Sequence, residues 1–249
     1  MEAHLYRELA SLEETHWWFQ GRRTVIRSVL EKHLKPGVRR RILDAGCGTG
    51  GMLGLLREFG ETEGLEGSEE ALRFCRERVG DSVRLLHGRI PDDIPGEPTF
   101  DVISSFDVLE HLPEPVTALS AIRRALKPDG LFVCTVPAFQ FLWSAHDEVH
   151  HHHRRYTEPM LREQLQRAGL RVRWISYFNS LLFPPIAAVR VLEKLLPERD
   201  GKSDLGKLPM PVNALLGALF KAERFLVPRF NLPFGVSLIA LAERADARA

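Results

Sequence analysis

The chain has 249 residues, of which 44% are apolar, enough for one α/β domain with insertions and a substantial core. Its 34 lysines and arginines balance 33 aspartates and glutamates, so no overall field draws it to nucleic acid or an anionic membrane, and either would need a local patch. Three cysteines, Cys47, Cys75 and Cys134, an odd number without metal-ligand spacing, argue against a disulfide framework and suit a reducing compartment, read here as the cytoplasm.

The N-terminus is charged from its second residue and reads as carrying no secretion signal, and no run approaches the roughly 20 apolar residues of a membrane span. Residues 3–33 read as helical, with Leu5, Leu9 and Leu12 at helical spacing, until Pro36-Gly37 stops the pattern. Strands and helices then alternate: "RRILDA", a helix over Gly50 to Phe59, "TEGLE", a helix capped by Ser68, "VRLLHG", "FDVISSF", the helix "EPVTALSAIRRAL" ended by "KPDG", and "GLFVCTV". After a loop rich in Trp and His, "TEPMLREQLQRAG" resumes as a helix closed by Gly169, and "LRVRWISYF" and "GVSLIALAER" supply two last strands. This alternation predicts a doubly wound α/β fold, a mostly parallel seven-stranded sheet with helices on both faces.

The chain divides into an N-terminal helical cap over 1–37, a core sheet over 38–180 and 233–243, and an apolar insertion over 181–232. The insertion holds two amphipathic helix candidates, "LLFPPIAAVRVLEKLL" and "PVNALLGALFKAERFLV", joined by a polar linker, "PERDGKSDLGKLP".

"RILDAGCGTGGML" sets three glycines behind a strand that ends in an acid. Gly46, Gly48 and Gly51 fit a dinucleotide fingerprint, with Glu66 twenty residues after Gly46, so an NAD(P)-dependent oxidoreductase is one reading. Asp44 points elsewhere. At the carboxyl end of the first strand it would face a pyrophosphate with its own negative charge, whereas a ligand carrying an ammonium and a sulfonium would be attracted. S-adenosylmethionine meets that demand: its carboxylate can approach free N–H groups, its ammonium can lie against carbonyls and Asp44, and Glu66 can accept both ribose hydroxyls.

"ILDAGCGTGGML", the acid of "GLEGS", "FDVISSFDVLEHLPEP" and "ALKPDGLFVCTVP" together resemble the successive motifs of class I S-adenosylmethionine-dependent methyltransferases over Arg41 to Pro137. More loosely, "LWSAHDEVHHHHRRYT" and "SYFNSLLFPP" are similar to a group of bacterial members, of small-molecule or lipid-linked type, whose substrates are mostly undefined. The resemblance implies Asp44, Gly46, Cys47 and Gly48 around the methionine portion and Glu66 on the ribose. It implies Gly88, Arg89 and Ile90 beside the adenine and Phe106 near the amino group. Arg89 stands where many members have Asp, so adenine recognition falls to the Ile90 backbone, to stacking by Gly67 and its neighbours, or to Asp92. In "HWWFQGRR", Trp17 or Trp18 is expected to roof the pocket, and Arg22 or Arg23 to pair with a carboxylate; Trp18 is taken as a cofactor contact.

Methyl transfer needs alignment and a base for a protonated acceptor, and His suits neutral pH. His111, His146 and His152 are the candidate catalytic residues. On a helix, Asp107, Glu110 and His111 would share one face. That trio resembles the acid-x-x-Glu-His element with which small-RNA 2′-O-methyltransferases and some quinone-biosynthesis O-methyltransferases hold a divalent cation, His152 matching their further histidine. Packing and capping roles are the favoured reading of the trio, and a metal the less favoured. The expectation is a methyltransferase acting on oxygen of a small-molecule or lipid-linked acceptor. The apolar insertion is read as a lid, with peripheral contact at the inner face of the membrane as a weaker option and nucleic acid not expected as a partner. A non-catalytic S-adenosylmethionine-binding protein is the other alternative.

Overall fold

A computed structural model describes residues 3–195 and 208–245. The linker expected between the two insertion helices lies outside the described residues, apart from its last two positions. The N-terminal segment is two helices, α1 (Ala3–Leu12) and α2 (Trp17–His33). His16 ends the break between them, its Nδ1 accepting from the Trp18 N–H.

The sheet takes β1 (Arg41–Ala45), β2 (Glu61–Glu66), β3 (Arg84–His87), β4 (Phe100–Phe106), β5 (Leu126–Pro137), β6 (Leu170–Phe178) and β7 (Ser237–Arg244) in the order β3-β2-β1-β4-β5-β7-β6. Only β7 runs antiparallel to its neighbours. Central strands read as continuous apolar runs because both faces are covered, and the two-residue period divides them. Leu43, Ile103, Phe132 and Ala240 face one core layer with Leu119, Ile122, Leu161 and Leu165. Ile42, Val102, Val133 and Leu241 face the other. Leu119 and Ile122 come from α5 (Pro115–Ala125), and Leu161 and Leu165 from α7 (Glu158–Arg167), the two helices that close one side.

On the opposite side α2 puts Val25, Ile26, Val29 and Leu30 into the core with no exposure, so this part of the cap is structural. The helix expected over Gly50 to Phe59 shrinks to α3 (Leu53–Leu56), because Gly50 has φ +84 and the flanking bonds, Gly50 N–H to Cys47 O and Phe59 N–H to Leu56 O, span three residues rather than four. α4 (Glu69–Val79) follows β2 with Ser68 as its cap, as read. The Trp- and His-rich loop contains a short helix, α6 (Ala145–Val149).

The insertion is not one unit. α8 (Phe183–Leu195) lies over the cavity described below, whereas α9 (Met210–Ala222) packs on α2. Phe220 is fully buried there, and a Cβ on Gly21 would stand 2.2 Å from its ring. Among the described residues no helix is long and apolar enough to cross a membrane.

Candidate active site

The carboxyl ends of β1, β2, β4 and β5 open on a cavity of about 750 Å³. At its floor Gly46 has φ +83, a conformation that L side chains rarely adopt, and a Cβ there would meet Val108 Cγ2 at 2.6 Å. The Gly46 and Cys47 N–H groups donate to Leu65 O and tie the turn to β2. Glu66 accepts from the Gly48 N–H at 3.0 Å on one carboxylate oxygen and from the Ser68 N–H at 2.9 Å on the other. Each oxygen keeps a further lone pair, so the carboxylate is oriented by backbone and still able to accept from a diol.

Asp44 is 2% exposed and accepts from Ser104 Oγ at 2.7 Å. Burial pushes its pKa up to about 6, against the lowering effects of the Ser104 hydrogen bond and the Arg22 charge. It remains mostly ionised above neutrality, an anion poorly hydrated and in want of a cationic ligand.

Gly88, Arg89 and Ile90 line the next wall with Gly67 and Phe106. Asp92, one of the options for adenine recognition, is exposed and outside the lining. Its neighbour Asp93 instead holds the turn, accepting from the Arg89 N–H at 2.7 Å. The roof is α2: Trp17 and Trp18 both line the cavity, and the Arg22 guanidinium stands 5.0 Å from the Trp18 ring centroid. Arg22 pairs with Asp107 Oδ2 at 2.7 Å, and Arg23 with Glu14 at 3.5 Å.

That pairing corrects the trio reading. Asp107 has φ +55, which breaks any helix at that point, and only a 3₁₀ turn, Leu109–His111, follows. Asp107 faces Arg22 and Thr135, the latter donating to Oδ1 at 3.0 Å, so it does not share a face with Glu110 and His111. His152 replaces it: Glu110, His111 and His152 bring donor atoms within 4.8 Å of one another. Glu110 is 1% exposed and neither carboxylate oxygen has a hydrogen-bond partner. Burial and the nearby Asp107 charge push its pKa well above the carboxylate range. This donor set, an orphaned buried carboxyl with two imidazoles, fits a divalent cation.

The histidine loop is built around Asp147, fully buried at the third position of α6. Arg155 grips it with Nε and a terminal nitrogen, both at 2.8 Å, and His152 Nδ1 lies 2.8 Å from Oδ1. Burial alone would raise the Asp147 pKa, but these bonds hold it well below the ordinary range. With the ionised carboxylate at this distance, an Nδ1–H tautomer of His152 would donate to Asp147. Burial, aided by neighbouring imidazoles, lowers His111 and His150 to about 3; burial and His152 lower His146 to about 4. All three are neutral at physiological pH.

Of the site residues named from the sequence, His111, His146 and His152, Asp44, Gly46, Cys47, Gly48, Glu66, Gly67, Gly88, Arg89, Ile90, Phe106 and Trp18 line this one cavity, whereas Asp92 and Arg23 do not. The sequence reading did not find Glu13, Asp147, Arg155 or Asn179. Glu13 accepts from Thr49 Oγ1 at 2.7 Å and from Arg78, so α1 is fastened to the glycine turn and α4. For Asp147 and Arg155 the only signal was an acid and an arginine flanking the histidine run.

A family model described as a methyltransferase domain matches residues 17–174. A ubiquinone biosynthesis O-methyltransferase from Idiomarina loihiensis is 27% identical over 184 residues, 66% of this chain and 74% of that protein. A protein of the same name from Alkalilimnicola ehrlichii is 37% identical over 97 residues, 36% of this chain, and the match spans only 39% of that relative's length. Among solved structures, the methyltransferase of Haloferax volcanii in complex with its Trm112 activator superposes with a TM-score of 0.61 at 21% identity, covering 97% of this chain and 95% of the other.

Proposed function

The chain belongs to the class I S-adenosylmethionine-dependent methyltransferases, and from that premise we propose that it methylates an oxygen of a small, largely apolar acceptor with His152 as the base. The observation that carries this reading is the Asp147-held imidazole in the same cavity as the glycine turn and Asp44. When bound, S-adenosylmethionine supplies an electrophilic methyl group on a sulfonium. Asp44 would attract the ammonium, Glu66 would accept from the ribose hydroxyls, and Trp18 would cover the ligand.

On the acceptor side, the cavity would hold a hydroxyl oxygen against the methyl group that bound S-adenosylmethionine would supply as an electrophile. The hydroxyl proton passes to His152 Nε2, and the resulting imidazolium is stabilised by Asp147, itself kept ionised by Arg155. His111 and His146, uncharged, position the acceptor without repelling the sulfonium. The names of the two curated relatives support oxygen as the atom methylated.

Glu110 favours a second reading. With His111 and His152 it would hold a divalent cation that lowers the pKa of an acceptor hydroxyl. Metal analysis of the purified protein, with rates before and after chelation, separates the two: chelation leaves the rate unchanged if His152 acts alone.

The lipid-linked acceptor draws support from a cluster of rings at the start of α8, where Phe139 contacts Phe141 and Phe183, and Phe183 contacts Phe234, and from the outer faces of α8 and α9. Val189 with Leu192, and Leu215 with Leu219, are exposed at helical spacing, with the exposed Lys194 and Arg224 beside them. We read this as a face that rests on an anionic membrane. Incubation with labelled S-adenosylmethionine and fractionated cell extract tests the whole reading: label should move to an apolar product, and binding without transfer would leave a non-catalytic protein.

A further inference from the structure

The part of the cavity bordered by β6, β7 and α8 holds polar groups that methyl transfer does not use. Pro137, Ser237 and Phe178 stand in one register row across β5, β7 and β6, and Asn179 is the next residue beyond that row. Asn179 is fully buried, has φ +56 and lines the cavity, and neither Oδ1 nor Nδ2 has a hydrogen-bond partner. A buried amide with both ends unpaired is rare in folded proteins. Nor does the turn depend on it: the Leu181 N–H donates to the buried Glu223 carboxylate at 2.7 Å and secures the backbone independently.

From the opposite wall α8 contributes Arg190, which lines the same cavity with its side chain only 14% exposed. It pairs with Glu193 at 2.7 Å, a carboxylate half in solvent, and its charge is felt by His146. His150 Nε2 is a further buried ring nitrogen without a partner in this lining.

We propose that this half of the cavity binds a carboxylate carried by the methyl acceptor, its oxygens accepting from Asn179 Nδ2 and from the Arg190 guanidinium. The substrate class is thus an amphiphilic acid rather than a neutral alcohol or phenol. The match is one of charge and shape. One guanidinium and one planar amide suit a planar monoanion, and a phosphate dianion would be left partly uncompensated by a single cation. This inference rests on the methyltransferase reading of the same site.

The test titrates decanoate, decanol and decyl phosphate into the full chain saturated with S-adenosylhomocysteine, by calorimetry at pH 7.5. Decanoate should bind at least about tenfold more tightly than decanol, the effect of one charge-assisted hydrogen bond. Arg190→Gln should remove the preference, Arg190→Lys should keep part of it, and Asn179→Asp, nearly isosteric but anionic, should reverse it. S-Adenosylhomocysteine affinity should stay within about twofold in each variant, which also reports that the variant is folded. Equal binding of decanoate and decanol, a preference that survives both Arg190→Gln and Asn179→Asp, tighter binding of decyl phosphate, or loss of S-adenosylhomocysteine affinity in Arg190→Gln would each overturn the proposal. Failure of the unaltered chain to bind S-adenosylhomocysteine would instead bring down the methyltransferase reading and this inference with it.

Discussion

Asp44→Asn should make the protein more stable and nearly unable to bind its cofactor. The Asp44 carboxylate has its pKa raised from 3.8 to about 6 by burial at 2% exposure, so holding it ionised in the ligand-free fold costs roughly 3 kcal/mol. The sign follows from the direction of the shift. A carboxyl with a raised folded pKa destabilises the fold fully above that pKa, and the cost disappears as pH falls from about 6 to below 3.8. Asparagine carries no charge and its Oδ1 can still accept from Ser104 Oγ, so the bond at 2.7 Å is kept.

In the bound state the same carboxylate gains a charge-assisted interaction with the ligand's ammonium, worth about 1.5–3 kcal/mol, or roughly ten- to 150-fold in affinity. Calorimetry with S-adenosylmethionine and thermal unfolding of the ligand-free protein, both at pH 7.5, read the two effects separately. For the unaltered chain, affinity should also fall about tenfold per pH unit below 6, as the ligand must pull the proton from Asp44, and Asp44→Asn should lack that limb. A variant that binds within threefold of the original, or that unfolds at a lower temperature, would refute the electrostatic argument on which the cofactor assignment stands, as would tight NADH binding by the unaltered chain.

His152→Ala should lower turnover by about 10²–10⁴ while cofactor affinity is unchanged, as measured by single-turnover kinetics beside calorimetry; unchanged turnover would remove His152 from the chemistry. Phe220→Ala should cost about 3–5 kcal/mol in urea unfolding, since the ring is fully buried against α2 and Phe178, and a smaller loss would mean that α9 is not part of the core. Leu192→Asp with Leu215→Asp, at positions 57% and 62% exposed, should leave stability unchanged and reduce sedimentation with phosphatidylglycerol vesicles about tenfold; equal sedimentation would exclude this face from membrane contact.

The sheet was legible because its signals are local. "RILDA" and "TEGLE" carry an acid at or next to their carboxyl ends, and Ser68 and Gly169 mark helix ends, so Asp44 and Glu66 could be assigned to the cofactor edge from order alone. Where the backbone departs from regular spacing, the reading failed. Helical spacing put Asp107 beside Glu110, but a positive φ turns it towards Arg22, a residue 85 positions earlier in the chain. The glycines that suit a close approach to ligand also shortened the expected helix at Gly50. Arg155 and Asn179 lie in irregular segments and Asp147 in a helix of only five residues, and their burial arises only when distant elements close over them. No period in the sequence carries that information.

The two sides of the cavity are covered by pieces of chain with separate moorings. Glu13 latches the N-terminal helices to Thr49 and Arg78, beside the glycine turn, whereas Lys194 fixes α8 to the Phe141 carbonyl at 2.8 Å on the far side. The two moorings share no residue. Removing the Glu13 carboxylate would loosen α1 beside the glycine turn and leave α8 held, whereas removing the Lys194 ammonium would loosen α8 and leave α1 held, so either cover can be freed by one substitution with no change in the other.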